Sequence, residues 1–299
     1  MRKTWFLFAL VLSSCQKPVD FDIVKLSPEP VVNMLITNEN KHIVNLSYTS
    51  HIKDDETNFI NNAEIIFWEN GILNDSIGYI GDGNYQVYNL NPIPGARYKT
   101  EISVQGYSSL YAEDIVPYSR IEIDSASFIS NAGFYIEGDA KAETRIFFSD
   151  PANQRNFYEI KVLKNYGTIN EPEFSSHAIS SNDPVITSEN TTDGFGQTLV
   201  FSDDLINGES YELSVFYLKQ LYQEGVSQPD FSIYIIFRTV SQNYYHYKMK
   251  LEQHLDNTES DIIDGIASPV SMFSNIENGY GIFATYLADT LILEVKDED

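Results

Sequence analysis

Short segments in which apolar and polar residues alternate dominate this chain. Within 42–50, Val44, Leu46 and Tyr48 alternate with asparagine, serine and threonine, and 98–105 has the same pattern. Successive side chains of a β-strand point to opposite faces, so these segments predict strands with one buried face. Turn residues separate the segments at short intervals, which is typical of antiparallel sandwiches. The pattern therefore predicts a mostly β protein.

The spacing of these segments predicts two β domains. Residues 30–117 hold seven short predicted strands and end at Pro117, which indicates an immunoglobulin- or transthyretin-like sandwich with its own core. Residues 118–299 predict a larger antiparallel domain, either a second sandwich or a barrel-like sheet. The predicted strands are 31–37, 42–50, 63–68, 75–80, 84–90, 98–105 and 108–116, and then 121–130, 143–149, 157–164, 199–202, 210–221, 232–240, 272–275, 281–287 and 291–295.

One segment has the periodicity of a helix, and we predict that helix over 241–255. Ser241 suits the N-cap position, and Asp256–Asn257 suit the end of the helix. We expect its apolar stripe to pack in a core rather than to hold a ligand. The stripe consists of Val240, Tyr244, Tyr247, Leu251 and Leu255.

The first residues have the features of a bacterial export signal. Arg2 and Lys3 precede an apolar run over 5–12, which is much shorter than the roughly 20 residues of a membrane-spanning helix. The run ends in Leu-Ser-Ser-Cys, which resembles the lipobox of bacterial lipoproteins, whose cysteine is acylated before cleavage. We therefore predict a signal peptide over 1–14 and lipidation at Cys15, which is the only cysteine of the chain.

The residues after Cys15 bear on localisation. Residues 15–29 predict a tether between the lipid and the first strand. Gln16 and Lys17, with Asp20 and Asp22 soon after, resemble the surface-export signal of Bacteroidetes lipoproteins. We predict an outer-membrane protein anchored by lipid and displayed at the cell surface, with the periplasmic face as the alternative.

The charge balance narrows the classes of partner. The chain of 299 residues has 43 Asp and Glu against 19 Lys and Arg, a formal net charge of −24. This argues against nucleic acid, whose phosphates are bound mainly through Lys and Arg, and against a basic face docked on anionic lipid. A single cysteine also excludes disulfides within the chain and zinc sites built from several cysteines.

The motifs of common catalytic and metal sites are missing from the sequence. No nucleophile elbow and no glycine-rich phosphate loop occur, and His246 and His254 are too far apart to form one metal site. The acidic clusters 54–56, 203–204 and 297–299 are calcium candidates, but they lack the ligand spacing of an EF-hand and favour a solvated surface. We predict no catalytic residue, no cofactor and no metal; glycosidase chemistry stays open because carboxylates are numerous.

Loop aromatics are the remaining candidates for binding. The stretch 165–198 is long, polar and irregular, and such loops are often functional. Aromatic rings there and near 222–231 can stack on sugars or peptides, or simply pin the loops to the sheets. These residues are Tyr166, Phe174, Phe195, Tyr222 and Phe231.

Four segments of the chain form a pattern that extends over nearly all of it. They are Val31–Thr37 with the strand that ends in Leu46–Ser47, Phe148–Pro151 with Asn156–Tyr158, Asn243–Tyr247, and Phe273–Phe283. Together they resemble a lipoprotein family of the Bacteroidetes known as domain of unknown function 4249. The chain departs from the family pattern at Phe157, where Tyr is commoner, and at Ala284–Thr285, where Gly is common.

The resemblance implies a function but no catalytic residue. Lipoproteins of this kind resemble accessory partners of TonB-dependent outer-membrane receptors, and we expect this chain to bind a ligand or to support such an assembly. The alternative is a surface protein that works without a transporter as an adhesin or as a glycan- or peptide-binding lipoprotein. In the last segment, Gly279 and Gly281 suit a tight corner that Asn275 fixes, with partner recognition as the alternative.

Overall fold

The computed structural model describes residues 27–39, 41–51, 56–74, 76–168, 170–176, 178–188, 196–219, 231–264 and 270–295. The predicted signal peptide, Cys15 and most of the tether lie outside these ranges. Within them the chain is mostly β, so the predicted fold class is confirmed. None of the helices in the described ranges is both long enough and apolar enough to cross a membrane.

Seventeen strands and two helices lie in the described ranges. The first eight strands are β1 (Pro30–Thr37), β2 (His42–Tyr48), β3 (Glu64–Glu69), β4 (Ile72–Asn74), β5 (Ile77–Gly81), β6 (Asn84–Val87), β7 (Arg97–Ser103) and β8 (Leu110–Ile115). The remaining elements are β9 (Ile123–Ile129), β10 (Lys141–Ser149), β11 (Phe157–Asn165), β12 (Phe174–Ser176), β13 (Ile179–Ser180), α1 (Pro184–Thr187), β14 (Leu199–Ser202), β15 (Ser210–Leu218), β16 (Phe231–Val240), α2 (Gln242–Asp264) and β17 (Tyr280–Val295).

One large sheet runs through the whole molecule. Its strand order is β12-β11-β16-β17-β1-β2-β6-β5, with β14 also paired to β11. A small sheet of order β4-β3-β7-β8 covers one part of its inner face, and another of order β13-β15-β10-β9 covers the other part. The result is two sandwiches side by side on a shared sheet.

Each sandwich has its own hydrophobic core. The first is filled by residues of 32–116 such as Phe67 and Tyr98, whose rings stack at 5.7 Å. The second is filled by residues of 121–237, with Phe148 and Phe237 at its centre, 4.7 Å apart. The predicted boundary at 117 lies between β8 and β9 and therefore between the two cores. Whether the two sandwiches fold separately stays a prediction.

Strand β17 contributes to both cores. Because side chains alternate along a strand, its odd-numbered residues face inward throughout. Phe283 and Leu287 pack in the first core, whereas Leu291, Leu293 and Val295 pack in or against the second. This strand pairs in parallel with β1 and antiparallel with β16, so it joins the first strand of the chain to the second sandwich.

The structure corrects several predicted elements. The segments predicted at 281–287 and 291–295 are one strand, β17, and 272–275 is not a strand. The first region has eight strands rather than seven, because the three-residue β4 is too short to show an alternation. The polar stretch 165–198 contains β12, β13 and α1, and α1 begins where Asp183 accepts a hydrogen bond from the Val185 N–H.

Helix α2 lies on the outer face of the large sheet and is longer than predicted. It continues past Asp256–Asn257 to Asp264. Asp and Asn lower helix stability by only a few tenths of a kcal/mol each relative to Ala, and no Gly or Pro follows in the sequence before Gly265. The predicted stripe is also partly wrong. Val240 belongs to β16 and Leu255 is exposed, while Tyr244 and Tyr245 are the buried residues.

Candidate functional site

A cleft of about 330 Å³ lies where β8 ends, β11 begins and α2 starts. Asp114 and Tyr118 line it from the chain around the end of β8, Arg155 and Phe157 from the start of β11, and Asn243 from the first turn of α2. We call it the α2 cleft. Because β8 belongs to the first sandwich and β11 to the second, the cleft lies at the boundary between them.

Ser241 fixes the start of α2 beside the cleft. Its Oγ accepts a hydrogen bond from the backbone N–H of Tyr244 at 3.3 Å, which satisfies one of the free N–H groups of the first turn. Its own backbone N–H donates to the carbonyl of Thr285 on β17 at 2.9 Å. The predicted N-cap is confirmed, and the helix start is attached to the large sheet.

A buried carboxylate forms the inner wall of the cleft. Asn243 Nδ2 donates to Asp114 Oδ1 at 2.9 Å. Burial raises the pKa of Asp114 to about 6, although polar contacts with Ser241, Thr285 and Asn243 lower it in part. The group lies at the positive end of the α2 dipole, which favours its ionised form. Asp114 thus links β8 to the start of α2.

The other charges around the cleft are paired. Arg155 Nη2 lies 2.9 Å from an Asp204 oxygen, and Glu113 Oε1 lies 2.9 Å from Arg97 Nη1. Each cation is matched by an acid, and the dipole of α2 opposes the charge of Asp114. The electrostatics of this arrangement suit a ligand that is polar and uncharged.

Aromatic rings pack beside the cleft. Phe157 stacks on Tyr245 with ring centres 4.5 Å apart, and the Arg155 guanidinium lies 5.3 Å from the Phe157 ring. His246 lies 5.7 Å from Phe273. Burial, and then the charge of Arg155, lower the pKa of His246, so this imidazole is neutral at neutral pH.

A buried ion cluster holds α2 on the sheet. Glu159 of β11 accepts from Arg238 Nη1 at 2.7 Å and from the Tyr244 hydroxyl at 2.8 Å, and Lys248 Nζ lies 3.1 Å from its other oxygen. Glu39 binds the outer side of Arg238 at 3.0 Å. The cluster therefore fixes the position of the helix that forms the cleft.

The segment 273–283 forms a corner. The Asn275 side chain donates to the Phe283 carbonyl at 2.7 Å and accepts from the Phe283 N–H at 2.9 Å. Gly281 has φ of 110°, and a Cβ there would lie 2.0 Å from the Val32 carbonyl oxygen. A Cβ on Gly279 would lie 2.6 Å from Leu110. The predicted roles of Asn275 and the two glycines in a tight corner are confirmed.

Two of the four segments singled out in the sequence line the α2 cleft, through Asn156 and Phe157 of one and Asn243 of the other. A third segment packs next to them on α2. Phe157 stacks on Tyr245, and Phe273 contacts His246, so 156–158, 243–247 and 273–283 converge on the first turns of α2. A family model described as "Domain of unknown function (DUF4249)" matches residues 16–292. The chain belongs to the DUF4249 family.

Proteins outside the family show only weak similarity to this DUF4249 protein. No curated protein matches it. Among solved structures, a Corynebacterium diphtheriae protein described as membrane anchored is 9 % identical, with a TM-score of 0.23, over 72 % of this chain and 55 % of that one. The collagen adhesin of S. aureus is 10 % identical, with a TM-score of 0.21, over 88 % and 93 %. The collagen-binding domain of the Erysipelothrix rhusiopathiae surface protein RspB is 10 % identical, with a TM-score of 0.19, over 88 % and 96 %. Scores this low carry no argument about function.

The other predicted candidates of the DUF4249 protein that the structure describes, Tyr166, Phe174 and Phe231, do not line the cleft. Cys15, Phe195 and Tyr222 fall outside the described residues. Phe174 packs edge-on against Tyr234 at 5.0 Å, so this loop ring is pinned to a neighbouring strand although it is half-exposed. Tyr166 and Phe231 likewise contact each other, with ring centres 5.8 Å apart.

The acidic candidates do not assemble into a metal site in the described part of the chain. Asp203 is buried and accepts a hydrogen bond from the Asn156 N–H at 2.8 Å, next to Asp150, which accepts from Tyr158. Asp204 instead faces solvent and pairs with Arg155. The described residues contain no group of three or more His, Cys, Asp or Glu that could hold a metal ion.

The sequence did not predict that Asp114, Tyr118 and Arg155 line a cleft. One signal was available for Asp114, because Leu110, Ala112 and Asp114 occupy the inward positions of one strand. A carboxylate on the buried face of a strand needs a special environment and is a candidate site residue. Arg155 and Tyr118 lie in connecting segments without periodicity, and only the fold brings them together.

Proposed function

We propose that this DUF4249 protein is a lipid-anchored, surface-exposed outer-membrane protein that binds a small ligand for a TonB-dependent receptor. The observation that carries the proposal is that two family-like segments, around Phe157 and Asn243, line one cleft, with a third packed next to them through Phe273 and His246. Sequence features that resemble the family but lie far apart along the chain come together there, beside exposed polar and aromatic groups. In this proposal the α2 cleft is the binding site, and the protein is not an enzyme.

The properties of the cleft support a neutral, hydroxyl-rich ligand such as a mono- or disaccharide. Its exposed charges are paired, and the dipole of α2 opposes the charge of the buried Asp114. Tyr118, which is 70 % exposed, offers a ring at the rim. Gln242 and Asn243 add amide groups, and amides can both donate to and accept from hydroxyls. The volume of about 330 Å³ lies at the lower end for small-molecule sites.

The lipid at Cys15 has a physical role in this proposal. The predicted tether over 15–29 has 15 residues. At up to about 3.5 Å each, they keep the folded part within a few tens of ångströms of the membrane. A tether of this length raises the effective concentration of the bound ligand at a neighbouring receptor into the millimolar range. Binding close to the receptor mouth therefore does not require a tight complex in solution.

Native isolation tests the transport role. The protein is tagged at its C-terminus, extracted from the outer membrane in mild detergent, and its stoichiometric partners are identified by mass spectrometry. We expect a β-barrel receptor to co-purify and Cys15 to carry fatty acid. A fully acylated protein recovered alone at good yield contradicts the transport role and favours the stand-alone adhesin.

Ligand binding by the cleft is tested separately. Saturation-transfer NMR with a panel of neutral hexoses and disaccharides measures which sugars contact the protein. We expect signals for at least one sugar, and their loss in Tyr118→Ala. Phe134→Ala is the matched control, because Phe134 is equally exposed, at 71 %, and does not line the cleft. The absence of signal from every sugar, or equal signals in both variants, contradicts a sugar site in the cleft.

A further inference from the structure

A second concavity lies on the other side of α2. A groove of about 470 Å³ runs between the helix and the outer face of β1, β2 and β17. Its floor includes Leu35, Ile43 and Ile282, and Tyr247 forms part of the helix wall. We call it the β1–α2 groove. The register of the sheet places Asn33 of β1 between Asn45 of β2 and Ile282 of β17 on this floor.

The charge of the groove is opposite to that of the whole chain. Lys41 and Lys248 line it, and its lining includes no carboxylate among the residues that the structure describes. Acidic residues outnumber basic ones 43 to 19 in the sequence, so a concavity with lysines alone is unusual for this surface. An anion is repelled by most of the protein, and the groove is a place where local charge offsets that repulsion.

The two lysines differ in how they are held. Lys248 Nζ is fixed 3.1 Å from Glu159, in the cluster that also contains Arg238 and Glu39. Arg238 and Lys248 balance Glu39 and Glu159, so the cluster is neutral as a whole. Lys41 is exposed and forms no ion pair within the described ranges, so its positive charge is the one left over at the groove.

We propose that the β1–α2 groove binds an organic monoanion with an apolar body, its carboxylate at Lys41 and its body on the floor of Leu35, Ile43 and Ile282. A carboxylate meets the unbalanced charge, and an aliphatic or aromatic body removes the half-buried Leu35 and Ile43 from water, while Ile282 is already buried. This site is separate from the α2 cleft, and it holds whether or not the cleft binds sugar.

Two sources of such an anion share this chemistry, a short fatty acid and an acylated amino acid or peptide end. Octanoate and N-acetyl-phenylalanine represent them, and octanamide is the uncharged control. Isothermal titration uses the chain from residue 16, which contains every described element. We expect saturable one-to-one binding of at least one acid, with octanamide binding at least about fivefold more weakly than octanoate if the fatty acid is bound.

Three variants locate the site. Lys41→Gln is expected to weaken binding of the acid about fivefold, as the loss of one exposed charge pair does. Lys250 is an exposed lysine of α2 that does not line the groove, so Lys250→Gln is expected to leave binding unchanged. Asn33→Trp places a large ring in the groove and is expected to abolish binding.

Three results would contradict the proposal. Failure of both acids to bind the wild-type protein contradicts it. Equal affinity for octanoate and octanamide contradicts the role of Lys41, and unchanged binding in Asn33→Trp contradicts the location. Thermal melting of each variant shows whether it is folded, so that loss of binding by unfolding is distinguished from loss of the site.

Discussion

Arg238 of β16 and Glu159 of β11 are cross-strand neighbours, and their side chains meet beneath α2 with Nη1 and Oε2 2.7 Å apart. Glu159 is only 1 % exposed. Burial by itself raises the pKa of Glu159, but the charges of Lys248 and Arg238 outweigh burial and hold that pKa below its ordinary value. The carboxylate is thus ionised in the interior and holds two cations from two different elements.

Glu159→Gln is expected to destabilise the protein strongly. It removes the carboxylate that Arg238 and Lys248 share and leaves these partly buried cations without that partner. Breaking a buried ion pair lowers the free energy of unfolding by about 3–5 kcal/mol. Chemical denaturation measures the loss in the free energy of unfolding. Glu122→Gln is the control, because Glu122 pairs with Arg120 at the exposed surface. A similar small effect of both changes contradicts the role given to the cluster.

Asp114→Asn is expected to change how stability depends on pH. The pKa of Asp114 is 3.8 unfolded and about 6 folded, so between these values the folded state binds the proton more tightly and wild-type stability falls as pH rises. Asparagine does not titrate. The free energy of unfolding of the variant minus that of the wild type should therefore be larger at pH 8 than at pH 5, by about 1 kcal/mol.

Thermal melting of both proteins at the two pH values checks this. Ser125→Ala, at an exposed position of β9, exchanges no titratable group and is the control, so its difference from wild type should not change with pH. A difference between wild type and Asp114→Asn that is constant with pH contradicts a raised pKa for Asp114.

Gly281→Ala is expected to destabilise the corner at the start of β17. A methyl group there combines a φ of 110° with a Cβ 2.0 Å from the Val32 carbonyl oxygen, so β1 and β17 must separate. Gly106→Ala is a matched comparison, because Gly106 also has positive φ but has open space around its Cβ position. We expect Gly106→Ala to cost about 1 kcal/mol and Gly281→Ala clearly more in chemical denaturation. Equal costs contradict the close approach of the two strands.

Much of the local structure could be predicted because it depends on residues that are close together in the sequence. The alternation in β2 and β7 and the N-cap at Ser241 depend only on neighbouring residues. The pairing of β1 with β17 joins residues about 250 positions apart, and no local pattern encodes it. The α2 cleft depends on that pairing, since Thr285 on β17 holds the helix start. The fold class was therefore accessible from sequence, whereas the site was not.

Removal of residues 1–117 is expected to leave a fragment that unfolds cooperatively but at a lower temperature. The second core is built from residues of 121–295 and remains complete. However, β17 loses β1, and Phe283 and Leu287 lose their core. Calorimetry of the fragment and of the chain from residue 16 compares the two transitions. An unchanged melting temperature indicates independent sandwiches, and no transition indicates a single core; both contradict this expectation.

If the protein is anchored at Cys15 as proposed, the parallel pairing of β1 and β17 also determines how it carries mechanical load. The chain enters the fold at Pro28, whose carbonyl accepts from the Tyr107 hydroxyl at 2.8 Å, and continues directly into β1. A pull from the membrane therefore runs along β1, whose backbone hydrogen bonds to β2 and β17 lie across the direction of force. These bonds share the tension in shear instead of breaking one after another. In a protein held at the membrane through Cys15, tension from a bound partner is then borne by the central strands of the large sheet.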